Sequence, residues 1–213
     1  LSVISTASSG VKFKKELDVL QEGDIEIAMD GINNSVQHLS QTIDDFRDFF
    51  KIDKNKTKFI LDKTLKKTFK LIISQFKNAN IIVEKNIKDI TLLGYEHELM
   101  QVLINILNNA RDELIKKEQK IKLILIETKV VNNTLEIYIK DNAGGIPLDI
   151  IDEVFESHFT TKQDTNGTGI GLYMSKMIID EHMNGKIEAK NINFIYKDIA
   201  YSGAQFKVIL PLD

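Results

Sequence analysis

Three blocks in a fixed order constrain this chain more than anything else in it. They are Glu98-Leu-Met-Gln-Val-Leu-Ile-Asn-Ile-Leu-Asn-Asn-Ala110, Asp141-Asn-Ala-Gly-Gly-Ile-Pro147 and Gly167-Thr-Gly-Ile-Gly-Leu172. In the first, Asn105 and Asn109 stand one helical turn apart on one face, where two side-chain carbonyls can reach a metal ion or the phosphates it holds. The other two are Gly-containing turns, whose missing Cβ atoms let backbone amides approach a ligand closely. Together they read as a nucleotide pocket, so the fold has to bring a helix, a post-strand turn and a Gly-rich loop to one place.

The 213 residues suffice for one good core and a second small unit, since domains commonly run about 100 to 150 residues. The charge is mixed along the chain, 28 basic against 31 acidic residues, with no basic stripe of the kind a nucleic-acid binder carries. With no cysteine there is no disulfide, thiolate metal site or Cys nucleophile, a composition compatible with a reducing cytoplasm. No apolar run approaches the roughly 20 residues of a membrane-spanning helix, and the first residues lack a signal-peptide pattern, so the chain reads as soluble. It opens on Leu1 within residues that already look helical, and therefore reads as a fragment whose membrane or sensor segment, if any, lies elsewhere.

Apolar residues at Ile25, Met29, Ile32, Val36, Leu39, Ile43, Phe46 and Phe50 alternate spacings of four and three, a heptad seam expected of a bundle or coiled coil. Residues 1–20 form a preceding helix, Gln21 to Asp24 supply the turn, and Asp24 is expected to cap the second helix. Such a helix pair exposes apolar surface, which a four-helix bundle made by two chains would bury. Lys51-Ile-Asp-Lys-Asn-Lys-Thr-Lys58 is polar and aperiodic and reads as a linker. The expected division is a dimerisation hairpin over 1–52 and a second domain over 53–213.

Within that domain the patterns predict a short strand near 58–61, a helix over 62–77, strands at 81–84 and 90–93, and a helix over 96–117. Strands at 121–131 and 134–140 join through Asn132-Asn133, a good two-residue hairpin turn. A short helix is predicted from Pro147, a polar loop over 160–168, a helix over 169–183, and closing strands at 186–191 and 204–210. Strands and helices mixed with an antiparallel hairpin define an α+β class, one mixed sheet with helices on one face.

These residues resemble the two-component sensor histidine kinases, whose catalytic domain shares its ATP-binding superfamily with gyrase. The stretch around Asn105 and Asn109 is similar to the N box, 141–147 to a first glycine box, Val154-Phe-Glu-Ser-His-Phe-Thr-Thr-Lys162 to the F box, and 167–172 to a second glycine box. Four blocks in that order make the resemblance specific. It implies a two-layer α/β sandwich of the Bergerat type, preceded by an antiparallel helical hairpin, that binds ATP with Mg2+. By the same resemblance Asn109 would ligate the magnesium ion, Asn105 support the phosphate region and Asp141 accept a hydrogen bond from the adenine amino group. Gly145 would leave room for the base. Lys162 would approach the terminal phosphates from a lid anchored by Phe155 and Phe159, and the amides of Gly167, Gly169 and Gly171 would cradle phosphate. Asp112, Ile146, Thr168, Ile170 and Leu172 complete the implied contacts.

Three positions depart from the family pattern: Ala143 and Ala204 stand where relatives often have Gly and Thr, and Asn105 where the gyrase-type hydrolases carry a Glu that activates water. Of the four histidines, His38 reads as structural, His97 and His182 as surface or satisfied residues on helices, and His158 as packing or lid surface. None lies in the family's phosphoacceptor motif, which would sit just upstream of Leu1, so this fragment would bind ATP without phosphorylating itself. The expected function is the cytoplasmic kinase core of a sensor histidine kinase, a homodimer whose phosphoryl group passes through a histidine to a response-regulator receiver domain. A gyrase-type ATP hydrolase and a degenerate dimerising scaffold that docks a regulator stay open as alternatives.

Overall fold

The computed structural model describes residues 2–49, 55–117, 119–157 and 170–212. The chain divides into two compact units, one within residues 1–51 and the other built from 52–159 and 170–213.

The first unit is a helix pair, α1 (Ser2–Glu16) and α2 (Asp24–Phe49), packed on one another. Asp24 does not cap α2 from outside, as the sequence suggests, but is its first residue. Its carboxylate accepts the backbone N–H of Gln21 at 2.8 Å and pairs with Lys14 at 2.6 Å, so it ties the turn back to α1. No apolar side chain between residues 4 and 36 is buried, and along the seam Ile25, Met29 and Val36 are each about half exposed. The seam side chains of Leu39, Ile43, Phe46 and Phe50, and that of His38, lie outside the described residues.

The second unit holds the core. Strands β1 (Thr57–Ile60) and β3 (Thr91–Gly94) form an antiparallel pair. A five-stranded sheet has the order β2-β4-β5-β7-β6, with β2 (Ile81–Asn86), β4 (Lys122–Val131), β5 (Thr134–Asp141), β6 (Lys186–Tyr196) and β7 (Ile199–Pro211). Only β2 runs parallel to its neighbour β4; the other three pairings are antiparallel. Helices α3 (Leu61–Asn78), α4 (Glu96–Lys116) and α5 (Gly171–Met177), the last continued by a π-helical segment Ile178–His182, supply the second layer.

The strand pattern explains the layering. Ile124 and Ile126 of β4, Leu135, Ile137 and Ile139 of β5, and Phe206 and Val208 of β7 are buried, while their alternating neighbours carry Glu127, Tyr138, Lys140 and Lys207 outward. On α4 the buried residues Leu99, Val102, Leu103, Ile106, Leu107, Ala110 and Leu114 recur at helical spacing. The adjoining stripe of Asn105, Asn109 and Asp112 stays partly exposed at the layer's edge. Glu96 at the start of α4 accepts from Thr64 at 2.8 Å and pairs with Lys67 at 2.8 Å, fastening α3 to α4.

The Asn132-Asn133 turn has positive φ at both residues, 47° and 60°, as a type I′ hairpin requires. Two expectations need correction. No helix follows Pro147. Residues 148–157 form successive turns closed by three-residue hydrogen bonds, Ile150 to Pro147, Glu153 to Ile150 and Glu156 to Glu153. Only Val154 is buried there and Leu148 is 80% exposed, so no packed apolar face sustains a helix. The closing strands are also longer than expected, continuing to a second hairpin turn at Lys197-Asp198 with φ of 48° and 62°.

Candidate functional site

Asp141 is the last residue of β5, buried at 4% exposure. Its Oδ1 accepts two backbone N–H groups, Ala143 at 2.9 Å and Ala204 at 3.2 Å. Burial pushes the carboxyl up to about 6, opposed by those two N–H bonds and reinforced by the nearby charge of Glu113. Ala143 keeps φ outside the left-handed region, so the methyl in place of hydrogen is accommodated. Ala204 contributes its backbone and not its side chain.

The turn that follows is held from three sides. Asn142, also buried, accepts from the Leu123 N–H at 2.8 Å and donates to the Ile121 carbonyl at 2.8 Å, so the turn is fixed to the start of β4. The Gly144 N–H donates to the Ser202 carbonyl at 3.1 Å. Asn191 of β6 accepts the Ile146 N–H and donates to the Ile146 carbonyl, both at 2.7 Å. Gly144 and Gly145 have φ of 89° and 93°, where a side chain would be strained. At Gly145 the nearest atoms to an added Cβ belong to Asn191, so within the protein the space it leaves is filled by that side chain. β7 approaches so closely that a Cβ on Gly203 would lie 1.8 Å from the Asp141 carbonyl oxygen.

On α4, the Asn105 amide donates to the Gly171 carbonyl at 3.0 Å and to Ser175 Oγ at 3.2 Å. Ser175, fully buried, in turn donates to Gly171 at 2.8 Å. Asn105 therefore anchors the first turn of α5, whose N-cap is the buried Ile170 and whose second residue is Leu172. Asn109 lies one turn further along α4, part-exposed. Asp112 Oδ1 receives the Arg111 guanidinium at 2.6 and 2.9 Å. Phe155 packs edge-on against Phe206 with centroids 6.2 Å apart. Phe159, Lys162, Gly167, Thr168 and Gly169 lie outside the described residues, as does His158.

Although Asn142 lies inside the 141–147 block, its contacts, with those of Ser175 and Asn191, escape a reading by motif because they join segments apart in sequence. So do Glu98 and His182, whose Oε2 and Nδ1 lie 2.9 Å apart, linking α4 to the π-helical segment. Glu98 is buried, and its Oε1 has no hydrogen-bond partner among the described residues.

A mixed sheet under one helical layer, with a buried carboxylate at a strand end, a glycine turn beside it and an asparagine-bearing helix along the edge, defines a two-layer α/β sandwich. Residues 94–213 match the model of the histidine kinase-, DNA gyrase B-, and HSP90-like ATPases. The chain belongs to that family. It is 34% identical over 123 residues to the two-component sensor PprA of Pseudomonas aeruginosa, covering 56% of this chain and 12% of that protein. It is 30% identical over 155 residues to sporulation kinase C of Bacillus subtilis, covering 71% of this chain and 33% of that protein. The chain thus spans a third or less of these two relatives.

Among solved structures, the Acinetobacter baumannii histidine kinase AdeS has the same fold with a TM-score of 0.66, 19% identity, and 99% and 95% of the two chains covered. The catalytic domain of histidine kinase ThkA superposes with a TM-score of 0.59 at 24% identity, over 74% of this chain and 95% of that one. ThkA in complex with the response regulator protein TrrA gives 0.62 at 17% identity, over 99% and 58%. Among the described residues no helix is long and apolar enough to cross a membrane.

Proposed function

We propose that the chain is the kinase core of a sensor histidine kinase. It binds Mg-ATP beside Asp141 and, in the intact protein, passes the γ-phosphoryl to a histidine and then to an aspartate of a response regulator. The observation that carries this reading is Asp141, a buried carboxylate that takes both of its backbone hydrogen bonds on one oxygen and is pushed up to about 6 by desolvation. A ligand N–H offered to it, as by the adenine amino group, would offset that desolvation.

The donor set on α4 fits magnesium. Neutral amide oxygens such as that of Asn109 suit a hard cation already neutralised by phosphate oxygens, and when bound the ion supplies charge neutralisation for the transferred group. The protein's own part is positioning. Asn105 and Ser175 fix the start of α5, and the Gly144-Gly145 turn shapes the wall beside Asp141. By resemblance, Asn109 holds the metal, while Lys162 and the backbone at Gly167 and Gly169 serve the phosphates.

Asn105 argues against the hydrolase alternative, because an amide that donates to Gly171 and Ser175 offers no base for a water molecule. The unburied apolar residues of the helix pair support a second copy as its partner. The ThkA complex with TrrA, whose kinase shares this fold, supports a receiver domain as the phosphoryl destination. A kinase that draws on ATP and serves such a regulator would act in the cytoplasm.

Calorimetric titration of ADP with magnesium tests the reading. The expected result is micromolar binding, roughly 7 to 8 kcal/mol, largely abolished by Asp141→Ala and stripped of its magnesium dependence by Asn109→Ala. A wild-type chain that binds no nucleotide would leave the dimerising scaffold, and rapid ATP turnover without an acceptor would point to the hydrolase.

A further inference from the structure

We propose that Asn191 is a positioning residue for nucleotide binding, and that position 145 is glycine in this chain because the Asn191 amide occupies the place of a side chain there. This rests on the reading of the Asp141 turn as the adenine wall.

Three observations carry it. The Asn191 side chain makes a two-point contact with one backbone unit, accepting the Ile146 N–H and donating to the Ile146 carbonyl at 2.7 Å each. Only a planar amide offers donor and acceptor together in this way, so the side chain substitutes for a neighbouring strand. Secondly, Asn191 pairs across the β6–β7 ladder with Ala204, the residue whose N–H holds Asp141. Asp141, Ala204, Asn191 and Ile146 therefore form a closed frame, with the turn of Asn142 to Gly145 strung across it. Thirdly, a Cβ at Gly145 would lie 2.6 Å from Asn191 Oδ1 and 2.9 Å from its Cγ. Any side chain at 145 would displace the amide that grips the next residue.

Asn191 is solvent-exposed. Its truncation opens no cavity, so the fold is expected to persist while the turn loosens. The effect appears in ligand affinity and not in the melting temperature.

A double-mutant cycle tests this on the full chain, with magnesium and ADP as the probe, using wild type, Asn191→Ala, Gly145→Ala and the double variant. Asn191→Ala is expected to weaken ADP roughly tenfold with little change in melting temperature. Gly145→Ala is expected to weaken it more, since φ of 93° also strains the new residue. In the Asn191→Ala background the added loss from Gly145→Ala should shrink severalfold, the strain alone remaining. Equal losses in both backgrounds would overturn the proposal, because glycine would then serve only the base.

A second measurement needs neither nucleotide nor the 145 variants. Amide exchange at Ile146 should quicken in Asn191→Ala and, less so, in Asn191→Asp, which keeps the acceptor and lacks the donor; unchanged exchange in both would also overturn the proposal. No ADP binding by the wild type would overturn the nucleotide reading and, with it, this role for Asn191, whereas wild-type binding with additive losses would overturn the role of Asn191 alone.

Discussion

Asp141 carries its pH dependence in a definite direction. Its carboxyl titrates at about 6 in the folded protein against an ordinary 3.8, so between those values the folded state holds a proton that the unfolded state has lost. Stability from this group is therefore greatest below about 3.8 and falls as pH rises, levelling off above about 6, with a total on the order of 3 kcal/mol. Other carboxylates oppose it. Glu136, gripped by Lys207 and Tyr138, and Glu188, beside Lys186, titrate below their ordinary value and add stability as pH rises. The difference between wild type and Asp141→Asn isolates the one group. In urea melts the nucleotide-free Asn variant is expected to gain on wild type from pH 4 to 7, and a constant difference would contradict the burial argument. On the proposed reading, in which this carboxylate accepts the adenine amine, ADP affinity should run the other way, rising through pH 6 as the carboxylate forms. A second residue-scale test is Gly203→Ala, whose methyl meets the Asp141 backbone. Backbone cannot yield as a side chain does, so a loss of about 3 kcal/mol or more in thermal melts is expected.

Among the elements, α4 and the β4–β5 hairpin were legible in advance because each carries its own period: Leu99, Val102, Leu103 and Ile106 at helical spacing, and strands joined by two asparagines that tolerate positive φ. Leu103→Ala, deleting a fully buried side chain of α4, is expected to cost about 2 to 5 kcal/mol. The stretch after Pro147 misleads because helix-compatible spacing becomes a helix only when the apolar face is buried, and Leu148 is largely exposed. The Lys197-Asp198 turn is hidden for a different reason, since lysine is no signal for the left-handed region it occupies. Replacing the pair by Asn-Gly relieves that strain, and a gain of about 0.5 to 1 kcal/mol is expected in chemical denaturation. In the site, the blocks single out Asp141 and Asn105, and the structure places one at the end of β5 and the other against the start of α5. The contacts of Asn142, Ser175 and Asn191 were not legible, because polar residues show their partners only once the sheet has assembled.

At the scale of the whole molecule, the two units differ in what sustains them. Every described buried apolar side chain belongs to the second unit, and nucleotide should stabilise that unit by about 2.7 kcal/mol at 100-fold excess over Kd. The helix pair has no such reserve, and its helicity is expected to follow protein concentration in circular dichroism; helicity independent of concentration would argue against self-association. The sheet order has a kinetic corollary. The β4–β5 and β6–β7 pairs each close over two residues, whereas β5 finds β7 only by closing a long loop, Asp141 bonding Ala204 across 63 residues. That joint is the slow one to form, and the proposed binding wall beside Asp141 lies on it. A chain emerging during synthesis thus lacks the proposed nucleotide site until the β6–β7 hairpin docks, so ligand would stabilise the finished sheet without templating either half of it.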